Sequence, residues 1–534
     1  MNLKINLFCL LCVISTLTFA QDWKTYPYNP SGQVAFPIDE GRHTAEPIEW
    51  WYSAGHVVGQ TTGKSYSFMY TFFHYPLSGF DGFRILNITD DDTGTFLQDV
   101  KPVNYTTLST TSFDIEADVF LAATESWRNK EDINNIPIPF EYELYALTAN
   151  AGLDLEFETL KRPLMVGDDG YLNQGENNYT YYFSQTMNEV TGSITFNGTT
   201  EPVIGTGWID RQYGTFNPLT GEKYEWFSVQ LSNGMDLNLW NIFTPDRLIP
   251  NNEAYKILSA YVDESTQYTT DDFQIERLAF NCMPDGERCY SKQWRLTSTS
   301  NAIDLTITTL HDNTEVQLPF RFFEGATSIT GTVNGMAVTG IGFAELLHDY
   351  EHPDVTITSP ISGIYDASMP ITWQLNNPDD GRPIFYDLEY SIDNQNSFNT
   401  IATSLTNPSY LWTNPSISEA DEVWFKITAY SIDGVLNSIV ISDSASSATL
   451  STDDQFLNTI KSYPNPVKDV FNIEFSSVLK GNYTLVDVSG RLINTSELFN
   501  NQTVSFSTEH LKSGMYFVLI KTDKGNANVR FVKQ

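Results

Sequence analysis

The sequence predicts an all-β protein, and three observations carry that prediction. Aromatic residues occupy alternate positions through Tyr66-Ser67-Phe68-Met69-Tyr70-Thr71-Phe72-Phe73-His74, the period of a strand with two unlike faces. Turn clusters such as Thr62-Gly63-Lys64, Asp168-Asp169-Gly170 and Ser232-Asn233-Gly234 separate runs of this kind. Long stretches with the apolar period of an amphipathic helix are absent. Many short strands punctuated in this way indicate barrels or sandwiches.

The elements follow in order. Lys4 precedes an apolar run over residues 5–19, and Ala20 closes it before Gln21. That pattern is expected of a signal peptide over 1–20, which would carry Cys9 and Cys12 away with it. No later stretch is long and apolar enough to cross a bilayer, so the mature chain is expected to lack a transmembrane segment. A length of 534 residues suggests several domains. A change of composition near His352-Pro353 closes a long N-terminal region. Residues 353–446 carry Trp373, Tyr386 and a strand-like run over 423–430, and they resemble a fibronectin type III or immunoglobulin-like module. Residues 447–456 read as a Ser/Ala/Thr-rich linker, and 457–534 as a small C-terminal β-sandwich.

Charge and cysteine usage narrow the partners. The chain holds 66 acidic against 30 basic residues, a net charge of −36. Phosphate backbones are bound by clustered Lys and Arg, so nucleic acid is excluded as a partner. No nucleophile elbow, P-loop or dinucleotide fingerprint is present, and no cofactor is expected. Cys282 and Cys289 flank the turn Pro284-Asp285-Gly286 and are expected to pair as a disulfide in an oxidising compartment. His348, Asp349, Glu351 and His352 cluster without the spacing of a zinc motif, and no metal is expected there.

Three stretches upstream of His352 stand out. In Glu49-Trp50-Trp51-Tyr52-Ser53-Ala54-Gly55-His56, strand alternation places Trp50, Tyr52 and His56 on one face and Glu49, Trp51 and Ser53 on the other. Adjacent tryptophans on opposite faces mean that neither face meets ordinary solvent. In Gly205-Thr206-Gly207-Trp208-Ile209-Asp210-Arg211-Gln212-Tyr213, Asp210 shares a face with Trp208, and Arg211 shares the other with Tyr213. A carboxyl beside tryptophan in an apolar setting has its charged form disfavoured and suits a general acid; the competing reading is an Asp held by a structural Arg or by backbone amides. In Gly340-Ile341-Gly342-Phe343-Ala344-Glu345, Glu345 lies in an apolar strand.

Taken in order, these stretches resemble the lipocalin-like family of carotenoid 1,2-hydratase and the AttH-type proteins over about residues 35–350. Lys161-Arg162-Pro163-Leu164 with Gly167, and Tyr181-Tyr182-Phe183-Ser184, complete the matching set. The resemblance implies two lipocalin-like β-barrel halves, 35–200 and 201–352, with a largely apolar cavity near their junction. It implies Asp210 or Glu345 as an acid, His56 as a proton donor or orienting group, and Trp50, Trp51, Tyr52, Trp208 and Tyr213 as ligand-binding or cation-stabilising aromatics. The hydratases often carry His after the motif Asp, where this chain has Arg211, which cannot shuttle protons.

The C-terminal block has its own resemblance. Tyr463-Pro464-Asn465-Pro466, the alternating Phe471, Ile473 and Phe475, Asp487-Val488-Ser489-Gly490-Arg491 and Leu511-Lys512-Ser513-Gly514-Met515-Tyr516 resemble the type A sorting domain of type IX secretion cargo. This implies the type IX machinery as a partner and a location outside the cell or on its outer-membrane surface. The functional expectation is an exported binder of a hydrophobic, isoprenoid or lipid-like molecule. The alternatives are an enzyme that hydrates or cyclises such a molecule (a hydratase-like lyase or cyclase) and a surface protein that adheres to glycans.

Overall fold

The computed structural model describes residues 22–77, 79–217, 221–317, 321–361, 363–366, 368–413, 417, 421–447, 460–522 and 525–534. The expected signal peptide and all but the first residue of the expected linker lie outside these residues. The described chain is almost entirely strand, with two short 3-10 turns at Asp22–Lys24 and Ile38–Glu40. Among the described residues no helix is long and apolar enough to cross a membrane. The chain divides into two compact units, one holding Met1–Val355, Leu375–Tyr386 and Thr428–Ile439, the other Thr356–Gln374, Asp387–Ile427 and Val440–Gln534.

In the first unit a 12-stranded sheet runs as a meander from Ile48–Gly59 through Ser65–Leu77, Phe80–Asp90 and onward to Ala151–Thr159. Tyr179–Phe196 then pairs with Ala151–Thr159 on one side and Thr199–Gly214 on the other. Thr199–Gly214 pairs back onto Ile48–Gly59, which closes a barrel and removes its edges. A register shift between Gln185 and Asn188 lets Tyr179–Phe196 change partners, as a bulge does at a bend. The strand bearing Asp210 therefore belongs to the first sheet, and the chain changes sheet after Gly214 rather than at residue 200.

Alternation decides what each face meets. Trp51, Val57, Phe68, Tyr70, Trp127 and Ile209 fill the barrel interior. Tyr52, Ala54, Met69, Ile85 and Trp208, one position away, face outward into a second core. The interior also holds a buried ion pair, with Arg84 Nε 2.6 Å from Glu125 Oε2 and Tyr70 donating to the same oxygen at 2.7 Å. The barrel is packed, so room for a ligand lies elsewhere.

The second sheet has ten strands in the order Thr266–Thr270, Lys256–Asp263, Asp236–Phe243, Lys223–Leu231, Met336–Leu346, Phe322–Val333, Ile303–Thr309, Cys289–Ser298 and Gln274–Cys282, with Glu315–Val316 pairing beside Phe322–Val333. One face packs Phe227, Leu237, Leu239, Trp294 and Leu346. The other turns Tyr224, Trp226, Trp240 and Phe343 toward the barrel's outer face. Cys282 and Cys289 are joined as a disulfide at the end of this sheet.

In the second unit, Ile371–Leu375 pairs with Ser409–Tyr410, and Trp373, Trp412 and Phe425 are buried. The expected 353–446 module is divided between the units, since 375–386 and 428–439 group with the first. The C-terminal sheet is built from Lys461–Tyr463, Val470–Asp487, Leu492–Ser507, Gly514–Thr522 and Gly525–Lys533. Its core contains Phe471, Ile473, Phe475, Tyr516, Val518 and Phe531.

The barrel's internal ion pair gives a direct check. Arg84→Met leaves Glu125 buried without its cation and is expected to cost about 3–5 kcal/mol, whereas Arg84→Met with Glu125→Gln recovers most of that. Denaturant unfolding of the full chain, followed by tryptophan fluorescence, measures both; equal loss in the two variants would refute the pairing.

Candidate functional site

The outer face of the barrel and the inner face of the second sheet enclose a space of about 640 Å³, counted with its open mouth. Trp50, Tyr52, Met69, Phe73 and Phe83 form the barrel wall, and Phe216, Tyr224, Trp226, Trp240 and Phe322 form the opposite one. Trp50 stacks on Phe73 with centroids 5.3 Å apart, and Phe73 stacks on Phe83 at 4.8 Å. Two carboxyls reach this space, Asp210 from the barrel and Glu345 from the second sheet. None of the described lining residues is Lys, Arg or His.

Asp210 is placed by register. It lies opposite Tyr52 on one neighbouring strand and Ser184 on the other. Ser184 Oγ donates to Oδ1 at 2.5 Å, Trp208 Nε1 donates to the same oxygen at 2.7 Å, and Tyr182 donates to Oδ2 at 2.6 Å. Asn238 of the second sheet donates to Tyr182 at 2.7 Å and to Ser184 at 3.0 Å, so the opposite wall steadies these donors. Burial pushes the Asp210 pKa up to about 7 despite the three donors, with Glu345 adding to the rise.

Glu345 stands directly across the strand pair from Glu324. Tyr224 donates to Glu345, and Tyr52 reaches across from the barrel to donate to Glu324 Oε1 at 2.9 Å. Burial raises both carboxyls, and Glu324 is raised further by the charge of Glu345.

The remaining sequence candidates separate by face. Trp50 and Tyr52 line the cavity, while Trp208 stands behind Asp210 as its indole donor. Trp51 and Tyr213 are on the opposite face and do not line it. Trp51 donates to the Glu40 carbonyl at 3.1 Å, and Tyr213 stacks on His43 with centroids 3.6 Å apart. His56 faces outward but lies beyond the cavity, its Nε2 3.2 Å from the Gly342 carbonyl oxygen. Burial lowers its pKa to about 4, only partly offset by that carbonyl, so its ring is neutral near pH 7 and faces a separate groove. Alternation puts Trp51 and Tyr213 on the face away from the cavity, unlike Trp50 and Tyr52, and position along the strand carries His56 past its end.

Arg211 is not the partner of Asp210. Its Nη2 donates to the Gly41 carbonyl at 2.5 Å and lies 3.2 Å from Glu49 Oε1, and its guanidinium sits 4.1 Å from the Trp51 ring centroid. Of the His/acid cluster near 350, His348 is buried against Phe243 and lies 3.4 Å from Asp380, and Asp349 pairs with Lys223 at 2.5 Å. Sequence reasoning missed Glu324, Tyr224, Trp226 and Trp240. Glu324 carried the same signal as Glu345, an acid within the apolar run Phe322-Phe323-Glu324-Gly325-Ala326; the aromatics look like ordinary core.

Comparison with known proteins agrees with this geometry. The family described as AttH-like matches residues 27–350, and the secretion system C-terminal sorting domain matches residues 461–534. That sorting domain marks the chain for type IX secretion to the cell surface or the extracellular space. Kievitone hydratase of Fusarium solani subsp. phaseoli is 21% identical over 338 residues, covering 60% of this chain and 88% of the relative. The crystal structure of an AttH-type protein from Nitrosomonas europaea is similar at a TM-score of 0.50 and 22% identity, covering 59% of this chain and 96% of that one. The match over residues 27–350, more than half of the chain, makes this protein a member of the AttH-like family.

Proposed function

We propose that this protein is an exported hydratase-type enzyme that adds water across a carbon–carbon double bond of an uncharged, apolar ligand. The observation that carries the reading is Asp210, buried at an aromatic cavity with its pKa raised to about 7 and no cation beside it. A general acid works best when its pKa lies near the working pH. The absence of Lys, Arg and His from the described walls disfavours carboxylate or phosphate ligands. Kievitone hydratase, by its name, belongs to the same reaction class.

The step balances with the residues present. The Asp210 carboxyl gives its proton to one alkene carbon, leaving a carbocation on the other. The faces of Trp50, Trp226 and Trp240 stabilise that charge. A water oxygen bonds to the cationic carbon and loses a proton to the Glu345 carboxylate on the opposite wall. Return of that proton to Asp210 through solvent restores the enzyme, and the net change is one added water.

Two measurements test this. Small molecules retained by protein from its native host are identified by mass spectrometry and then incubated with protein in heavy-oxygen water. Oxygen incorporation is expected with the native chain and is expected to fall by about 100-fold or more in Asp210→Asn, which still retains the ligand. Unchanged turnover would remove Asp210, and retention without incorporation would leave a carrier. The second measurement needs no ligand. Folded Asp210 holds its proton to about pH 7, against 3.8 for the ordinary group. Its contribution to stability is therefore complete below the lower value and is lost as pH rises through that window. Denaturant unfolding at several pH values should show a smaller decline in Asp210→Asn than in the native chain, and identical slopes would refute the raised pKa.

A further inference from the structure

We propose that Glu324 is a positioning residue: it and Glu345 hold a single proton between them, that proton stays on Glu324, and Glu345 is thereby kept as the anion facing the cavity. Assigning Glu345 the role of base rests on the proposed hydration; the proton count itself does not.

The geometry carries this. Glu324 and Glu345 are directly opposed on antiparallel strands, which sets their side chains on one face about 5 Å apart at Cβ. Two ionised carboxyls at that separation, out of water, repel strongly, and one retains a proton. No Lys, Arg or His among the described residues offsets either charge. The titratable groups that face the pair are Tyr52 and Asp210 from the barrel and Tyr224 from the second sheet.

The two members are unequal. Glu324 is 2% exposed and lies outside the cavity lining, whereas Glu345 is half-buried and lines it. Glu345 accepts from Tyr224, and that donor favours its anion. Glu324 Oε1 accepts only from Tyr52, and its Oε2 meets no N–H or O–H donor. Placing the proton on Glu324 Oε2 gives that oxygen an acceptor in Glu345 and Glu345 a second donor. The reverse placement makes the same shared hydrogen bond but puts the charge on Glu324, the more deeply buried of the two, where an anion is disfavoured. The Glu345 anion in turn helps Asp210 keep its proton across the cavity. Three carboxyls thus share two protons, with an acid on one wall and a base on the other.

The test is a pH titration of the full chain by infrared difference spectroscopy, reading the carbonyl stretch of protonated carboxyls. Asp210 and Glu40 ionise near 7, and Asp236 and Asp91 near 6. At about pH 9 those four have lost their protons, and a surviving band is assigned to the pair by its loss in Glu324→Gln. That band is expected in the native chain and in Asp210→Asn, and is expected to vanish in Glu324→Gln, with circular dichroism confirming the fold of each variant. Glutamine still donates to Glu345, so Glu324→Gln is expected to keep the native pH profile of water addition. Glu324→Leu removes the donor and is expected to move the acid limb upward by about one pH unit, a tenfold loss on that limb. No surviving band in the native chain, or a band that persists in Glu324→Gln, overturns the proposal. A band that behaves as expected without water addition leaves the pair standing and defeats the hydratase reading instead.

Discussion

Asp210 and Arg211 are neighbours that cannot meet, and the candidate site depends on that separation. Their strand is buried on both sides, with a packed barrel interior on one face and the aromatic cavity on the other. Pleating sends consecutive side chains to opposite faces. Arg211 turns away and satisfies its charge with Glu49 and backbone carbonyls over Trp51. Asp210 is left facing aromatics with only neutral donors. Neutral hydrogen bonds offset part of the cost of burying a carboxylate, and the rest appears as a retained proton.

Elsewhere in the same unit several buried acids meet cations. Glu125 meets Arg84 at 2.6 Å, Glu225 meets Arg277 at 2.5 Å and Asp236 meets Lys161 at 2.5 Å. Against that pattern, Asp210 and Glu345 at the cavity and Glu324 beside it meet no cation among the described residues. Such exceptions mark sites where stability gives way to chemistry. Tyr52 ties the walls together, since it lines the barrel side and donates to Glu324 on the other. The separation between Asp210 and Glu345 is therefore set by packing of two sheets rather than by any one loop.

Export bears on the ligand. The sorting domain directs the chain to the cell surface or the extracellular space, so the ligand proposed for the cavity is one that would be met there. A cavity lining with no Lys, Arg or His among its described residues and a net charge of −36 both disfavour anionic amphiphiles.

The amino-acid sequence by itself determined the fold class, the sorting tail, the family resemblance and the face on which each residue of the 49–56 and 205–213 stretches lies. These are local properties: period, turn chemistry and motif order need no knowledge of the partner strand. Only the tertiary structure decided that the barrel interior is filled and the cavity lies outside it. It decided that the cavity lies on the face away from Trp51 and Tyr213, and that His56 stands beyond its end. It also brought Glu345 opposite Asp210 and set Glu324 behind Glu345. Those outcomes depend on register between strands far apart in the chain, and register is fixed by the packing of whole sheets, which no local pattern contains.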